Sequence, residues 1–212
     1  MNALQDMIKN VFDKYRWEKD IEIEFRLGWF DRISKRFTSD INEFHYNEIL
    51  KQLNSFKDWD HIFSKKTKEY YTKDNIRIIV NEHGRIVKTM MKKKLENFDV
   101  FIDGCPYDLR ISIDVEKDTV YKGYTWSFLR IKERTSFVYK MWRYDITKIH
   151  TPTEFISNPY IENNDSYEFE IEYLANNLEF DNDYLSESII MKLDDILSIP
   201  EKNHLRNVKV IR

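Results

Sequence analysis

The sequence predicts an α+β architecture: a closed antiparallel barrel of eight or nine strands, charged inside and apolar outside, covered by amphipathic helices. Three observations carry this. Segments of period-two alternation follow one another in meander order, which would leave exposed edges unless the sheet closed on itself. Their charged faces are segregated by sign, three glutamates on one strand and Arg, Lys, Arg on another, where a solvated face mixes both. Three helical stripes are available to cover the outward apolar faces.

Composition sets the frame. The chain has 212 residues, with 34 basic and 37 acidic side chains and a net charge of −3. That balance argues against a broad basic face holding nucleic acid by phosphate neutralisation alone. Only four Gly and four Pro leave no stretch that reads as a linker, so one domain over residues 1–212 is expected. No apolar run reaches the length of a membrane span, and Met1–Gln5 lacks the pattern of a secretory signal, so an intracellular, non-secreted protein is expected. Cys105 is the only cysteine, which excludes an internal disulfide and a multi-sulfur zinc site.

In chain order, residues 3–16 space Leu4, Met7, Ile8, Val11, Phe12 and Tyr15 as a helix. Residues 42–56 repeat the pattern with Phe44, Ile49, Leu50, Leu53 and Phe56, capped by Asp40 or Asn42. Residues 184–198 do so with Leu185, Ile189, Leu193, Ile196 and Leu197, and Pro200 stops the run. All three stripes read as core. Strands are expected near 20–27, 66–73, 75–82, 85–95, 97–102, 107–117, 126–138, 141–149 and 166–174. Turn residues such as Lys73-Asp74-Asn75, His83-Gly84, Asp103-Gly104 and Asn163-Asn164-Asp165 separate them.

Residues two apart on a strand share a face. One face therefore carries Glu22, Glu24 and Arg26, and another Glu168, Glu170 and Glu172. Arg130, Lys132 and Arg134 share a face, as do Arg143, Asp145 and Thr147, and Arg110, Ser112, Asp114 and Glu116. Arg77 sits between Ile76 and Ile78, while the pattern leaves the register of Lys92-Lys93-Lys94 open. Two like charges at 4 Å repel by roughly 4 kcal/mol at an effective dielectric near 20, so gathered carboxylates call for a neutralising cation. Oxygen ligands select a hard one, Mg²⁺ or Mn²⁺, and cationic side chains facing it make a phosphate site.

Here the residues resemble those of the metal-dependent RNA 5′-triphosphatases of fungi, protozoa and large DNA viruses, which are triphosphate tunnel metalloenzymes. Ile21-Glu22-Ile23-Glu24-Phe25-Arg26-Leu27-Gly28 resembles that family's first acidic strand and Tyr167-Glu168-Phe169-Glu170-Ile171-Glu172 its last. Between them lie Arg130-x-Lys132-x-Arg134 and Trp142-Arg143-Tyr144-Asp145-Ile146-Thr147-Lys148, in the family's order. The resemblance implies a closed eight-stranded antiparallel tunnel that removes the γ-phosphate from 5′-triphosphate RNA, the first step of mRNA capping, and also hydrolyses nucleoside triphosphates. It implies Glu22, Glu24, Glu170 and Glu172 as metal ligands for Mg²⁺ or Mn²⁺, and Arg77, Lys92, Lys94, Arg130, Lys132, Arg134 and Arg143 as phosphate contacts. Glu116 matches a glutamate that positions the attacking water, and Asp145 an acid that orients a neighbouring base; Glu168 and Arg110 receive no role. A guanylyltransferase partner, on a separate chain or domain, is also implied, since no Lys-x-Asp-Gly signature occurs here. The implied location is the nucleus, or a viral factory or virion in the cytoplasm.

Two further readings stay open on the same residues: a polyphosphatase, tripolyphosphatase or thiamine triphosphatase, and a noncatalytic phosphate-binding subunit of a capping complex. No Gly-x4-Gly-Lys-Ser/Thr loop or Cys-x5-Arg loop is present, which excludes P-loop and cysteine-phosphatase chemistry. His45, His61, His83, His150 and His204 share no ligand spacing, and Lys65, Lys66 and Lys68 read as solvated. Trp17, Trp29, Trp59, Trp126 and Trp142 read mostly as packing residues.

Overall fold

The computed structural model describes residues 3–102, 104–123, 125–152, 165–174 and 180–198, and the backbone of 208–211. Asp103, Asn163, Asn164, Pro200 and His204, named above, lie outside the described residues. The element order is α1 (Ala3–Tyr15), β1 (Ile21–Asp31), β2 (Arg36–Thr38), α2 (Glu43–Ser55), β3 (His61–Thr72), β4 (Ile76–Asn81), β5 (Ile86–Ile102), β6 (Asp108–Asp118), β7 (Trp126–Tyr139), β8 (Trp142–His150), β9 (Asp165–Tyr173), α3 (Asn182–Leu197) and β10 (Val208–Ile211).

Eight of these strands close a ring of antiparallel pairs in the order β1, β6, β5, β4, β3, β7, β8, β9 and back to β1. Closure removes the free edges that an open meander would expose. The short β2 and β10 hang outside the ring on β1 and β5, and alternation over so few residues does not register in the sequence. At Gly28 the β1–β2 hairpin folds back so closely that a Cβ would collide with the Thr38 carbonyl and sit 2.8 Å from the Phe37 ring.

The two segments expected at 85–95 and 97–102 are one strand, β5, of 17 residues. Its pairing with β6 slips between Lys94↔Asp114 and Glu96↔Ile113, so Leu95 is the extra residue of a bulge. The slip inverts the face: Lys92 points into the ring before it, and Asn97 and Asp99 follow Ser112 and Arg110 after it.

The hydrophobic core lies outside the barrel. Leu4, Ile8, Val11 and Phe12 of α1 and Leu185, Ile189 and Leu193 of α3 bury the outward Ile23, Phe25, Trp142, Tyr144 and Ile171. In α2 only Ile49 and Leu53 are buried; Phe44 and Phe56, expected in its core stripe, are exposed at 65% and 41%. The helix docks through a narrow stripe, and Phe56 at its C-terminal end meets the edges of Trp59 and Tyr139, at 4.9 and 5.6 Å. Trp17, Trp29 and Trp126 are likewise exposed, leaving Trp142, fully buried, and Trp59, half-buried against the core, as the packing tryptophans.

Asn42, not Asp40, caps α2, its side-chain oxygen accepting from the His45 backbone N–H at 2.8 Å. Asp40 instead accepts from the Tyr167 N–H at 2.9 Å. Asn42→Ala is expected to cost about 1 kcal/mol, read as a lower midpoint in urea with an unchanged slope.

Candidate functional site

Alternation along β1 turns Glu22 and Glu24 into the barrel, opposite Asp114 and Ser112 of β6. Carboxylate oxygens of Glu22, Glu24 and Asp114 come within 4.8 Å of one another. Lys92 reaches across from β5 into this group: its Nζ bonds Glu22 and lies 3.4 Å from Glu24, 3.4 Å from Asp114 and 3.7 Å from Glu116. An ammonium group thus sits where four carboxylates converge. Hard, anionic oxygens gathered about a cation are the donor set a divalent ion such as Mg²⁺ or Mn²⁺ requires, so the cluster could coordinate one.

Burial and the neighbouring Glu24 push the Glu22 carboxyl well above the usual range. Burial acts on Glu24 in the same sense, but Arg26 and Lys92 outweigh it and hold that carboxyl far below the usual range. Asp114 was placed on the inward face by its spacing but not singled out as a ligand; its closeness to Glu22 follows from β1–β6 register, which no single strand reveals. Glu170 and Glu172, expected among the ligands, line the same interior but are held by arginines. Glu170 lies 2.9 Å from Arg134 and 3.3 Å from Arg26. Glu172 faces Glu24 across the β1–β9 ladder and bonds Arg143. Burial, only partly offset by Arg143, lifts the Glu172 carboxyl to about 8.

The opposite wall is cationic. Arg134 of β7 donates to Asp145 at 2.9 Å and to Thr147 at 3.1 Å, while Arg143 of β8 donates to the same Asp145 oxygen at 3.0 Å. Asp145 is fully buried, so it holds two guanidinium groups side by side. Arg130 lies 3.7 Å from Glu168. Arg77 faces the same cavity from β4, and Glu116 lines it 3.7 Å from Lys88. Lys94, just before the bulge, registers opposite Asp114 on the same face as Lys92 but is solvent-exposed. Arg110 pairs bidentately with Asp99 at 2.6 and 2.8 Å.

Three inward residues were missed. Arg26 was seen on the acidic face of β1 but given no role, and it bonds Glu24. Lys65, read as solvated, lines the cavity. Glu69 accepts from Tyr71 at 2.7 Å and lies 3.1 Å from Lys132 and 3.9 Å from Arg77. The period-two set Lys65, Thr67, Glu69, Tyr71 was the available signal. Burial raises the Glu69 carboxyl, but Lys132 and Arg77 outweigh it and hold it at about 2. The sign follows: its folded value lies below the unfolded 4.5, so its stabilisation is present above about pH 4.5 and lost as pH falls toward 2. Removing it by Glu69→Gln should flatten that acid limb by on the order of 3 kcal/mol, measured by urea titrations across the same pH range.

These side chains line a cavity of 300 Å³ that continues into a second of 320 Å³. The Nε atoms of Arg26 and Arg77 are buried without a hydrogen-bond acceptor. Each faces a carboxylate at ion-pair range instead, Glu170 at 3.3 Å and Glu69 at 3.9 Å. A larger cavity of 830 Å³ lies outside the barrel between α1 and β5 and carries no such set. Among the described residues, no helix is long and apolar enough to cross a membrane.

The barrel has counterparts of the same fold among solved structures. The RNA triphosphatase Pct1 of S. pombe superposes with a TM-score of 0.79 over 92% of this chain and 93% of that one, at 17% identity. The triphosphatase of the Mimivirus capping enzyme does so with a TM-score of 0.61 over 93% and 98%, at 14% identity. At these identities the likeness is one of fold. In sequence, the mRNA-capping enzyme subunit beta of Cryptococcus neoformans is 28% identical over 96 residues, 44% of this chain and 23% of that protein. The chain therefore aligns with under a quarter of that relative's length. The family model described as mRNA capping enzyme, beta chain, matches residues 29–187, from the hairpin at the end of β1 through the last acidic strand into α3. With the match extending over most of the sequence and the fold agreeing, this chain belongs to the mRNA capping enzyme beta chain family.

Proposed function

We propose that the protein is an RNA 5′-triphosphatase that hydrolyses the γ-phosphate of triphosphate-ended RNA, and of free nucleoside triphosphates, to leave a 5′-diphosphate. The observation that carries this reading is the pairing of an acidic cluster, Glu22, Glu24 and Asp114, with a wall of Lys132, Arg134 and Arg143 inside one closed barrel. A pure anion binder gains nothing from so many buried carboxylates, whereas phosphoryl transfer needs metal and cations on the same substrate.

In this reading Glu22 and Glu24 hold the cation, with Asp114 beside them and Glu172, opposite Glu24, able to complete the set. A divalent cation such as Mg²⁺ or Mn²⁺ held there would supply charge neutralisation to a bound triphosphate. Arg77, Arg130, Lys132, Arg134 and Arg143 bind the phosphates and stabilise charge on the leaving β-phosphate, and Asp145 keeps Arg134 and Arg143 parallel. Lys92, paired with Glu22 and Glu24, would be available to a phosphate oxygen if a divalent cation neutralised those carboxylates. Glu116, at the rim of the cluster, orients the attacking water in line with the Pγ–O bond that breaks. The water oxygen bonds to Pγ as the Pγ–O bond to the β-phosphate breaks, the bond electrons stay on the β-phosphate oxygen, the water's proton passes to solvent, and orthophosphate leaves the diphosphate end. The diphosphate is the substrate of a guanylyltransferase, the partner this reading requires, at the site of RNA synthesis in a nucleus or viral factory.

Purified protein with Mn²⁺ or Mg²⁺ should release orthophosphate from γ-labelled RNA, and EDTA should abolish the release. Rates on tripolyphosphate run in parallel separate this substrate from inorganic ones. Tight metal-dependent binding of triphosphate without release would make the protein a binding subunit.

A further inference from the structure

The 320 Å³ cavity shares Lys65, Lys88, Lys132, Arg134 and Arg143 with the charged cavity and adds an apolar pair, Phe63 and Val87. Glu22 and Glu24 line the charged cavity and not this one. A linear triphosphate with its terminal phosphate at the acidic cluster and its middle on the shared cations can run on into this second cavity, toward Phe63.

Phe63 is built for contact with something planar. It stands on the inward face of β3 opposite Ser136, yet its ring is 37% exposed. Among the described residues it has no aromatic partner, and the Lys65 ammonium lies 4.9 Å from the ring centroid. The rings elsewhere on the tunnel wall are already engaged: Tyr71 donates to Glu69 at 2.7 Å and pairs with Phe128 at 6.0 Å, and Arg130 lies over both. An inorganic polyphosphate has no use for an aromatic and an aliphatic side chain at the end of a cationic channel. A nucleoside does, because every base offers a π-face and a nearby ammonium can meet the α-phosphate.

We propose that Phe63 and Lys65 form a subsite for the nucleoside that bears the triphosphate, making this tunnel selective for nucleotide and RNA ends over inorganic polyphosphate. The inference rests on the 5′-triphosphatase reading for its substrate and adds the group that reads the first nucleoside. Stacking is indifferent to base identity, so ATP and UTP both profit.

The test is the ratio of KM for ATP to KM for tripolyphosphate, compared between wild type and Phe63→Ala. The ratio should rise about tenfold, the scale of one lost base stack, and Phe63→Trp should restore it. A ratio that stays at the wild-type value, or a Trp variant no better than Ala, overturns the subsite. If the wild type hydrolyses neither compound, the catalytic reading fails separately. Equilibrium binding of ATP and tripolyphosphate to the same proteins then decides: weaker binding of ATP alone supports the subsite, and an equal loss of both, or none, overturns it.

Discussion

Glu24→Gln is expected to remove the proposed metal-dependent phosphate release, with a loss of roughly a thousandfold or more, while the barrel stays folded. Glutamine keeps the volume of the buried side chain and still offers an acceptor, but it takes one negative charge from the centre of the acidic cluster. The neighbouring cations keep other partners: Arg26 retains Glu170, and Lys92 retains Glu22 and Asp114. Alanine is a poorer probe. Deleting one member of a buried ion pair typically costs about 3–5 kcal/mol, so Glu24→Ala would mix lost chemistry with lost stability. The measurement is orthophosphate release from triphosphate-ended RNA with Mn²⁺, alongside thermal melting. A Gln variant that melts like the wild type and keeps more than about a tenth of its turnover would remove the acidic cluster from the reaction.

How much of this was legible in the sequence depends on what each residue's neighbours reveal. The inside-out barrel was legible because alternation is local: Ile21 to Leu27 states which side chains share a face, and the segregated signs state that the faces are not ordinary solvent surface. Distances between strands are not local. Asp114 beside Glu22, and the arginines on Glu170 and Glu172, follow from ladder register across β1, β6, β8 and β9, which alternation leaves free. The run Met90-Met91-Lys92-Lys93-Lys94-Leu95 has no alternation to read, so the bulge at Leu95, beyond which Asn97 and Asp99 take over the face of Lys92, is invisible in it. Glu69 was hidden for another reason. Lys66 and Lys68 on the outer face interleave with Lys65, Thr67 and Glu69 on the inner, and the segment looks like a plain charge run. Phe44 and Phe56 fit helical spacing yet stay exposed, because spacing says which face could be buried and not how far the partner surface extends.

Trp142→Ala should be the most damaging single change to stability, at about 3–5 kcal/mol, or on the order of 10 °C in melting temperature for a chain of this size. A barrel whose interior is filled with charge has no apolar core of its own, so its outer wall must be clamped by the helices. Trp142 is fully buried at that clamp. Its ring lies 6.3 Å from Phe12 of α1, 6.2 Å from Phe25 of β1 and 5.7 Å from Tyr173 of β9, and its indole N–H donates to Ser188 of α3 at 3.1 Å. Truncation opens a cavity among four elements at once and removes one of two donors to the Ser188 hydroxyl, leaving Lys192 at 3.2 Å. The contrasting change lies on β3, whose outer face no helix covers: Ile62 is 54% exposed, and Ile62→Ala should fall within about 0.5 kcal/mol of wild type. Urea unfolding of the two variants tests the asymmetry. Comparable losses in both would mean that the strand ladder alone holds the ring, and that α1 and α3 decorate a barrel already stable without them.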